Sequence, residues 1–172
     1  TGLMAQSNGN YVYNFLSLNY SSRIAGLGSN LISVHDEDPS IIMTNPSLIG
    51  QRHHTSLMMN FTNYFKGSNY ISAMYSHSFE KVGSFAFEMR YVGYGRFTET
   101  DITGQEIGSF RAGDLAAIVG WGRELGKGFS IGASLKMIYC GYADYNSFGI
   151  AADVAGTYYN EKPDWETNFQ LA

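Results

Sequence analysis

Few side chains in this 172-residue sequence have the types and spacing to do chemistry. Glu88 and Arg90 stand two apart, and Lys136 and Asp153 lie in later segments of the same alternating kind. Two carboxylates beside two cations could in principle share protons, but no nucleophile–base constellation accompanies them. The expectation is bracing: opposite charges on neighbouring strands pair across an interior. Adjacent His53 and His54 face opposite ways on an extended chain, and His77 shares a strand face with Ile71, Ala73, Tyr75 and Phe79. Neither they nor His35 predict a metal site. The run Asp36-Glu37-Asp38 lacks the spacing of a calcium loop and reads as a capping turn. Cys140 stands alone, which excludes an internal disulfide and any multi-cysteine metal site. Phosphate-binding loops, nucleophile elbows and zinc spacings are missing from the sequence. A non-enzymatic protein with no catalytic residues and no cofactor is expected.

The elements that must hold these residues are strands. Charged residues make up 15% of the sequence against 44% hydrophobic, where a soluble domain carries about 25% charged. Apolar and polar residues are interleaved, so no stretch reaches the roughly 18–20 consecutive apolar residues of a membrane-spanning helix. The net charge of −4 and the scatter of basic residues argue against a nucleic-acid partner.

Period-2 alternation is plainest over 84–92, where Phe85, Phe87, Met89 and Tyr91 oppose Ser84, Ala86, Glu88 and Arg90. It recurs over 129–139 and 148–158, and segments 55–65, 70–79, 114–123 and 165–171 fit the same template. About seven strands of bilayer-crossing length follow. Glu80–Gly83, Glu124–Gly128 and Asn160–Asp164 are predicted tight turns, while 93–113 and 140–147 are predicted longer loops. Strand ends are rich in aromatics, and the polar face of mid-strand is mostly Gly, Ala and Ser. Both features favour a membrane barrel over a soluble sandwich.

Residues 1–54 differ: short apolar pieces are broken by Gly, Asp and Pro. Asp38-Pro39 predicts a capped helical turn over Ser40–Met43, and Asn45-Pro46 repeats the device. This part is expected to sit like a plug at or inside the mouth of the barrel. Residues 1–10 carry no signal peptide, so the sequence starts either at a mature end or in a cytosolic protein, and the strand pattern decides for the former.

A family likeness rests on particular stretches. They are Tyr13-Asn14-Phe15-Leu16-Ser17-Leu18, Ser22-Arg23-Ile24-Ala25-Gly26-Leu27-Gly28, Asp36-Glu37-Asp38 and Asn45-Pro46-Ser47-Leu48. Tyr94–Asp101, Gly104 and Gly108–Asp114 continue it. The chain resembles the PorV/PorQ family, most closely its PorQ-like members: outer-membrane barrels of FadL-like type used by the type IX secretion system of Bacteroidetes. Ser29 and Ser47 depart from the pattern, small residue for small. The resemblance implies a barrel of about fourteen strands, an even number, so seven strands would be its N-terminal half (55–172, with 1–54 as the plug-like segment).

It also implies an anchor for a surface complex that receives secreted cargo and links it to lipopolysaccharide. The partners implied are a PorZ-like surface protein with PorU and PorV, and outer-membrane lipid. Arg23, Gly26, Gly28, Asp36, Asp38, Asn45 and Pro46 are the family-motif positions. Tyr94, Phe97, Phe110, Tyr142 and Tyr145, expected on outward loops, are the candidate partner-binding anchors. The alternative is a FadL-type transporter of hydrophobic small molecules, which would need an apolar path where this sequence places small polar and charged residues.

Overall fold

A computed structural model describes residues 13–18, 20–28, 38–64, 67–101, 103–142, 145–159 and 170–171. One antiparallel sheet dominates, with strands in chain order: β1 (Ser56–Asn63), β2 (Asn69–Phe79), β3 (Gly83–Thr100), β4 (Glu106–Gly126), β5 (Phe129–Tyr142), β6 (Tyr145–Tyr159) and the short β7 (Gln170–Leu171). No described helix is long and apolar enough to cross a membrane, which says nothing about strands. The protein is all-β.

The register turns the sequence alternation into rows. Met59, Ala73, Met89, Ala117, Met137 and Ile150 lie side by side across six strands, as do Phe61, Ile71, Tyr91, Leu115, Tyr139 and Phe148. Leu57, Tyr75, Phe87, Val119, Leu135 and Ala152 form a third row. These apolar rows are the exposed ones: Leu57 is 70% and Ile150 65% accessible. The opposite face, carrying Ser72, Ser76, Ser84, Ala86, Glu88, Asp114, Ala116 and Ile118, is buried. The sheet thus inverts the usual rule for a strand face in water, where apolar residues turn inward.

What buries the polar face is the segment formed by residues 13–18, 20–28 and 38–53. This segment runs through 3-10 turns at Asn14–Ser17, Pro39–Ile41, Pro46–Leu48 and Gln51–His53 and a helical turn at Ser22–Gly26. Phe15 and Tyr20 pack on Val92, Ala116, Ile118, Ile138 and Cys140, while Ile41, Ile42, Leu48 and Ile49 pack on Met74 and Ala86. Cys140 is a buried core residue within β5.

The two proline devices form as read. Asp38 Oδ1 accepts from the Ser40 amide at 2.8 Å and Asn45 Oδ1 from the Ser47 amide at 3.1 Å, each followed by proline at the first helical position. The helix expected over Ser40–Met43 is instead a 3-10 turn at Pro39–Ile41.

The long loops expected at 93–113 and 140–147 are mostly strand. β3 and β4 run 18 and 21 residues, leaving a short connection at 101–105, and β5 and β6 leave only 143–144. Beyond Gly93 and Ala112 neither β2 nor β5 continues alongside, so residues 96–100 and 106–111 form a two-stranded arm. A register shift between Gly93 and Arg96 holds Gly95 at φ +86°, a left-handed conformation that glycine adopts without strain. The extra residue flips the alternation, and a period-2 reading stops at the bulge. On the opposite rim the two-residue β4–β5 turn places Lys127 and Gly128 at positive φ, and a Cβ on Gly128 would overlap the Tyr159 carbonyl oxygen. Of the predicted segment 165–171, only Gln170 and Leu171 are described, paired with Tyr159 and Tyr158; the turn predicted at 160–164 lies outside the described residues.

Candidate functional site: the buried polar face and its seated segment

The four charges singled out above all lie on the face turned to the segment, and one of their two pairs departs from the cross-strand pairing expected. Glu88 and Arg90 are neighbours on one face of β3 and bond along their own strand, Arg90 Nη2 to Glu88 Oε2 at 2.9 Å. Lys136 and Asp153 do pair across strands, β5 to β6, at 2.5 Å, with Ser134 donating to the same carboxylate at 3.0 Å. The first pair is the deeper: the Glu88 side chain is 3% and that of Arg90 12% exposed. Arg90 also ties the sheet to the segment above it. Its Nη1 donates to the Leu16 carbonyl at 3.2 Å, and its guanidinium lies 4.8 Å from the centre of the Tyr20 ring. Burial pushes the Tyr20 phenol well above its ordinary pKa, with the Arg90 charge pulling the other way.

Beside this pair a cavity of about 210 Å³ opens between segment and sheet, lined by Tyr20, Ser40, Thr44, Asn60, Glu88 and Arg90 among others. Its lining mixes polar side chains with Leu16, Ile24, Met43 and Met58, and two lining residues hold buried atoms, Ser40 Oγ and Arg90 Nε, without a hydrogen-bond partner among the described residues. Nothing in its lining forms a nucleophile–base pair. Among the described residues no three metal-ligating side chains come together. His54 and His77 do meet, ring centres 4.7 Å apart, while His53 is buried.

A second group was not foreseen from the sequence. Asp114, 2% exposed, accepts from Tyr94 at 2.5 Å and from Tyr142 at 3.0 Å, and the two rings stack at 6.1 Å. Its other oxygen has no partner among the described residues. The clue lay in the alternation Ala112, Asp114, Ala116, which shows only once β4 is extended back past residue 114.

Tyr94, half-buried, and Tyr142, exposed but bonded to Asp114, are therefore strand residues at the base of the arm rather than loop residues. Phe97 and Phe110 do project on the arm, directly paired and stacked at 5.3 Å, with Phe97 43% exposed. Tyr145 is 81% exposed where β6 begins, opposite Tyr142.

The family-motif residues form the segment's own scaffold. Arg23 bonds Asp38 at 2.7 Å, joining the helical turn to the first proline device. Gly28 follows that helical turn at φ +95°, whereas Gly26 closes it in a position where a Cβ would meet open space. Asp36 lies outside the described residues.

Asn45 and Pro46 anchor the segment to the sheet. Asn45 Nδ2 donates to Thr157 at 3.1 Å, and Ser47 Oγ shares a hydrogen bond with Thr157. Beneath them the strands carry glycine for close approach: a Cβ on Gly132 would overlap the Pro46 carbonyl, and one on Gly122 that of Ile49. Thr157, Gly122 and Gly132 drew no notice as single residues, because only the docked segment gives them a task.

Partial burial works against the Asp38 charge, but hydrogen bonds from Arg23 and Ser40 outweigh it and hold the carboxyl below its ordinary pKa. Since the folded pKa is depressed, this stabilisation is present above the unfolded carboxylate range and lost as pH falls through the folded value. Asp38→Ala is expected to lower stability by about 1 kcal/mol near neutral pH through the lost cap. Urea unfolding should show the gap to wild type narrowing in acid. No family model, curated protein or solved structure matches this chain.

Proposed function

We propose that residues 55–172 form the first half of a FadL-like outer-membrane β-barrel, with residues 1–54 as a plug against its lumen face. In this reading the protein is a non-enzymatic component of the type IX secretion system, anchoring the complex that attaches cargo at the cell surface. The observation that carries the membrane part is the inverted sheet. Rows of Leu, Met, Phe, Ile and Val face outward across six strands while Ser72, Ser76, Ser84, Glu88 and Asp114 are buried on the other face. A soluble monomer's largest apolar patch is about 300–600 Å² and functional; hydrocarbon is the medium in which a whole face of this kind is stable.

The rims support the same reading. From Phe129 to Tyr139, the outermost of the outward-facing side chains of β5, is about ten residue steps, about 34 Å of strand and, at barrel tilts of 35–45°, roughly 26 Å along a membrane normal. That matches the ~25 Å apolar band of outer-membrane barrels. Aromatics with polar tips stand at both ends: the Tyr139 hydroxyl donates to Asn146 at 3.0 Å on one rim, and Trp121 Nε1 donates to the Val82 carbonyl at 3.0 Å on the other. Free edges on β1 and β7 would be prohibitive in lipid, which further strands in the same barrel would resolve.

Met89→Arg, at the middle of the outward face, is expected to cost about 2–4 kcal/mol in lipid and to reduce insertion into vesicles. Unchanged insertion would count against the membrane reading. The secretion role draws on the likeness to the PorV/PorQ family and on the exposed aromatic arm, which suits a PorZ-like partner held together with PorU and PorV. Its test is the fate of type IX cargo after deletion of the gene: cargo lost from the surface or released unanchored supports it. Normal surface cargo with impaired uptake of a hydrophobic compound would instead indicate a FadL-type transporter. Phe97→Ser with Phe110→Ser is expected to weaken partner retention while leaving the barrel in the membrane.

A further inference from the structure

On the outward face the apolar rows end at Tyr91, Leu115, Tyr139 and Phe148, and the next row is Gly93, Gly113, Gly141 and Asn146. Past the Gly95 bulge, the first outward pair on the arm is Arg96 directly opposite Arg111. Both side chains are exposed, and neither has a carboxylate within ion-pair distance among the described residues. Glu99, opposite Gly108, alternates onto the other face of the arm, away from them. Like charges directly opposed across an antiparallel ladder are unfavourable on their own, and two guanidinium forks on one surface suit the oxygens of a phosphate.

We propose that Arg96 and Arg111 form a clasp for the phosphate of an anionic membrane lipid. The inference rests on reading the apolar rows as membrane-embedded. Arg111 stands four residues beyond Leu115, about 13 Å along the strand and roughly 10 Å along the normal at barrel tilts. The headgroup zone is about 5–8 Å deep on each side, and an arginine stem reaches back into it by snorkelling. Tyr91 fills the step between: a Cβ on Gly93 or Gly113 would come within 3.2 Å of its hydroxyl, so the phenol leans over the glycine row toward the arginines. A lipid, rather than free phosphate, is the ligand because its acyl chains lie along the apolar rows while its headgroup meets the clasp, so two contacts are made at once.

The test reconstitutes the full chain in vesicles of phosphatidylcholine containing a minor fraction of phosphatidic acid, followed by gentle extraction and native mass spectrometry of the retained lipid. Wild type should retain phosphatidic acid preferentially, and Arg96→Gln with Arg111→Gln should retain about tenfold less, as expected when a charge-assisted bidentate contact is lost. Each single variant should fall between, and Lys81→Gln, in the turn at the opposite rim, should match wild type. Equal retention by wild type and the double variant would overturn the clasp. Displacement of the lipid by millimolar inorganic phosphate would show a site for free anions and overturn the lipid assignment. Failure of wild type to enter the vesicles at all would instead sink the membrane reading, and this inference with it.

Discussion

Arg90→Met is expected to destabilise the protein by about 3–5 kcal/mol, the range for removing one partner of a buried ion pair. The reason lies in what stays behind. Glu88 is 2% exposed, and the guanidinium 2.9 Å away is its ion-pair partner. The same substitution frees the Leu16 carbonyl and removes the charge over Tyr20, so the effect reaches the segment above the sheet. Adding Glu88→Gln should recover much of the loss, because the orphaned charge rather than the missing attraction dominates. A double-mutant cycle by urea unfolding of the protein in detergent measures this. Additive losses in the cycle would mean that the two residues do not act as a pair. The Lys136–Asp153 bridge is more open, with side chains 22% and 44% exposed, so Lys136→Met should cost well under half as much.

Gly132→Leu is the second large effect expected, and its target is the seat of the N-terminal segment. The Pro46 carbonyl occupies the space a side chain at 132 would take, and the neighbouring Pro46 and Ser47 backbone atoms lie within 2.5 Å of the same point. Since backbone and not a flexible side chain stands in the way, the segment must lift. Lifting also strains the hydrogen bonds that Asn45 and Ser47 make with Thr157. The cost is about 1–3 kcal/mol or more by analogy with overpacked cores, and the expected sign is trypsin cleavage at Arg52, slow in wild type and fast in the variant. Gly156→Ala is the control. Its Cβ would meet only the Ser130 carbonyl at 3.8 Å, so it should leave both stability and cleavage unchanged. Wild-type protection in Gly132→Leu would show that the segment is held by other contacts than this seat.

Much of the architecture was legible because strands write their geometry in period 2. Phe85, Phe87, Met89 and Tyr91 fall on one face whatever the sheet around them, and Asp38-Pro39 and Asn45-Pro46 are local devices needing only two or three residues. The arm was illegible for an equally local reason. Gly95 adds one residue to β3, after which Phe97 and Glu99 occupy the face that Val92 and Tyr94 held before. An alternation rule applied across that point sees noise and assigns a loop to what is paired strand. Asp114 opens the segment read as 114–123, and its place between Ala112 and Ala116 on the inner face shows only with the strand continued before it.

The sequence by itself determined that the chain is built of alternating strands, that one face of them is apolar and the other small and polar, and where two helical turns begin. Those are properties of single segments, set by side-chain size, backbone freedom and hydrogen bonds within a few residues. The tertiary structure decided which partners the charges take, that the polar face is the one covered by the described N-terminal residues, and that Gly122, Gly132 and Thr157 form a seat. It also placed two arginines face to face on the arm. Such facts depend on register between strands more than ten residues apart and on a backbone docking against a sheet, and no periodicity within a segment encodes the position of its neighbour.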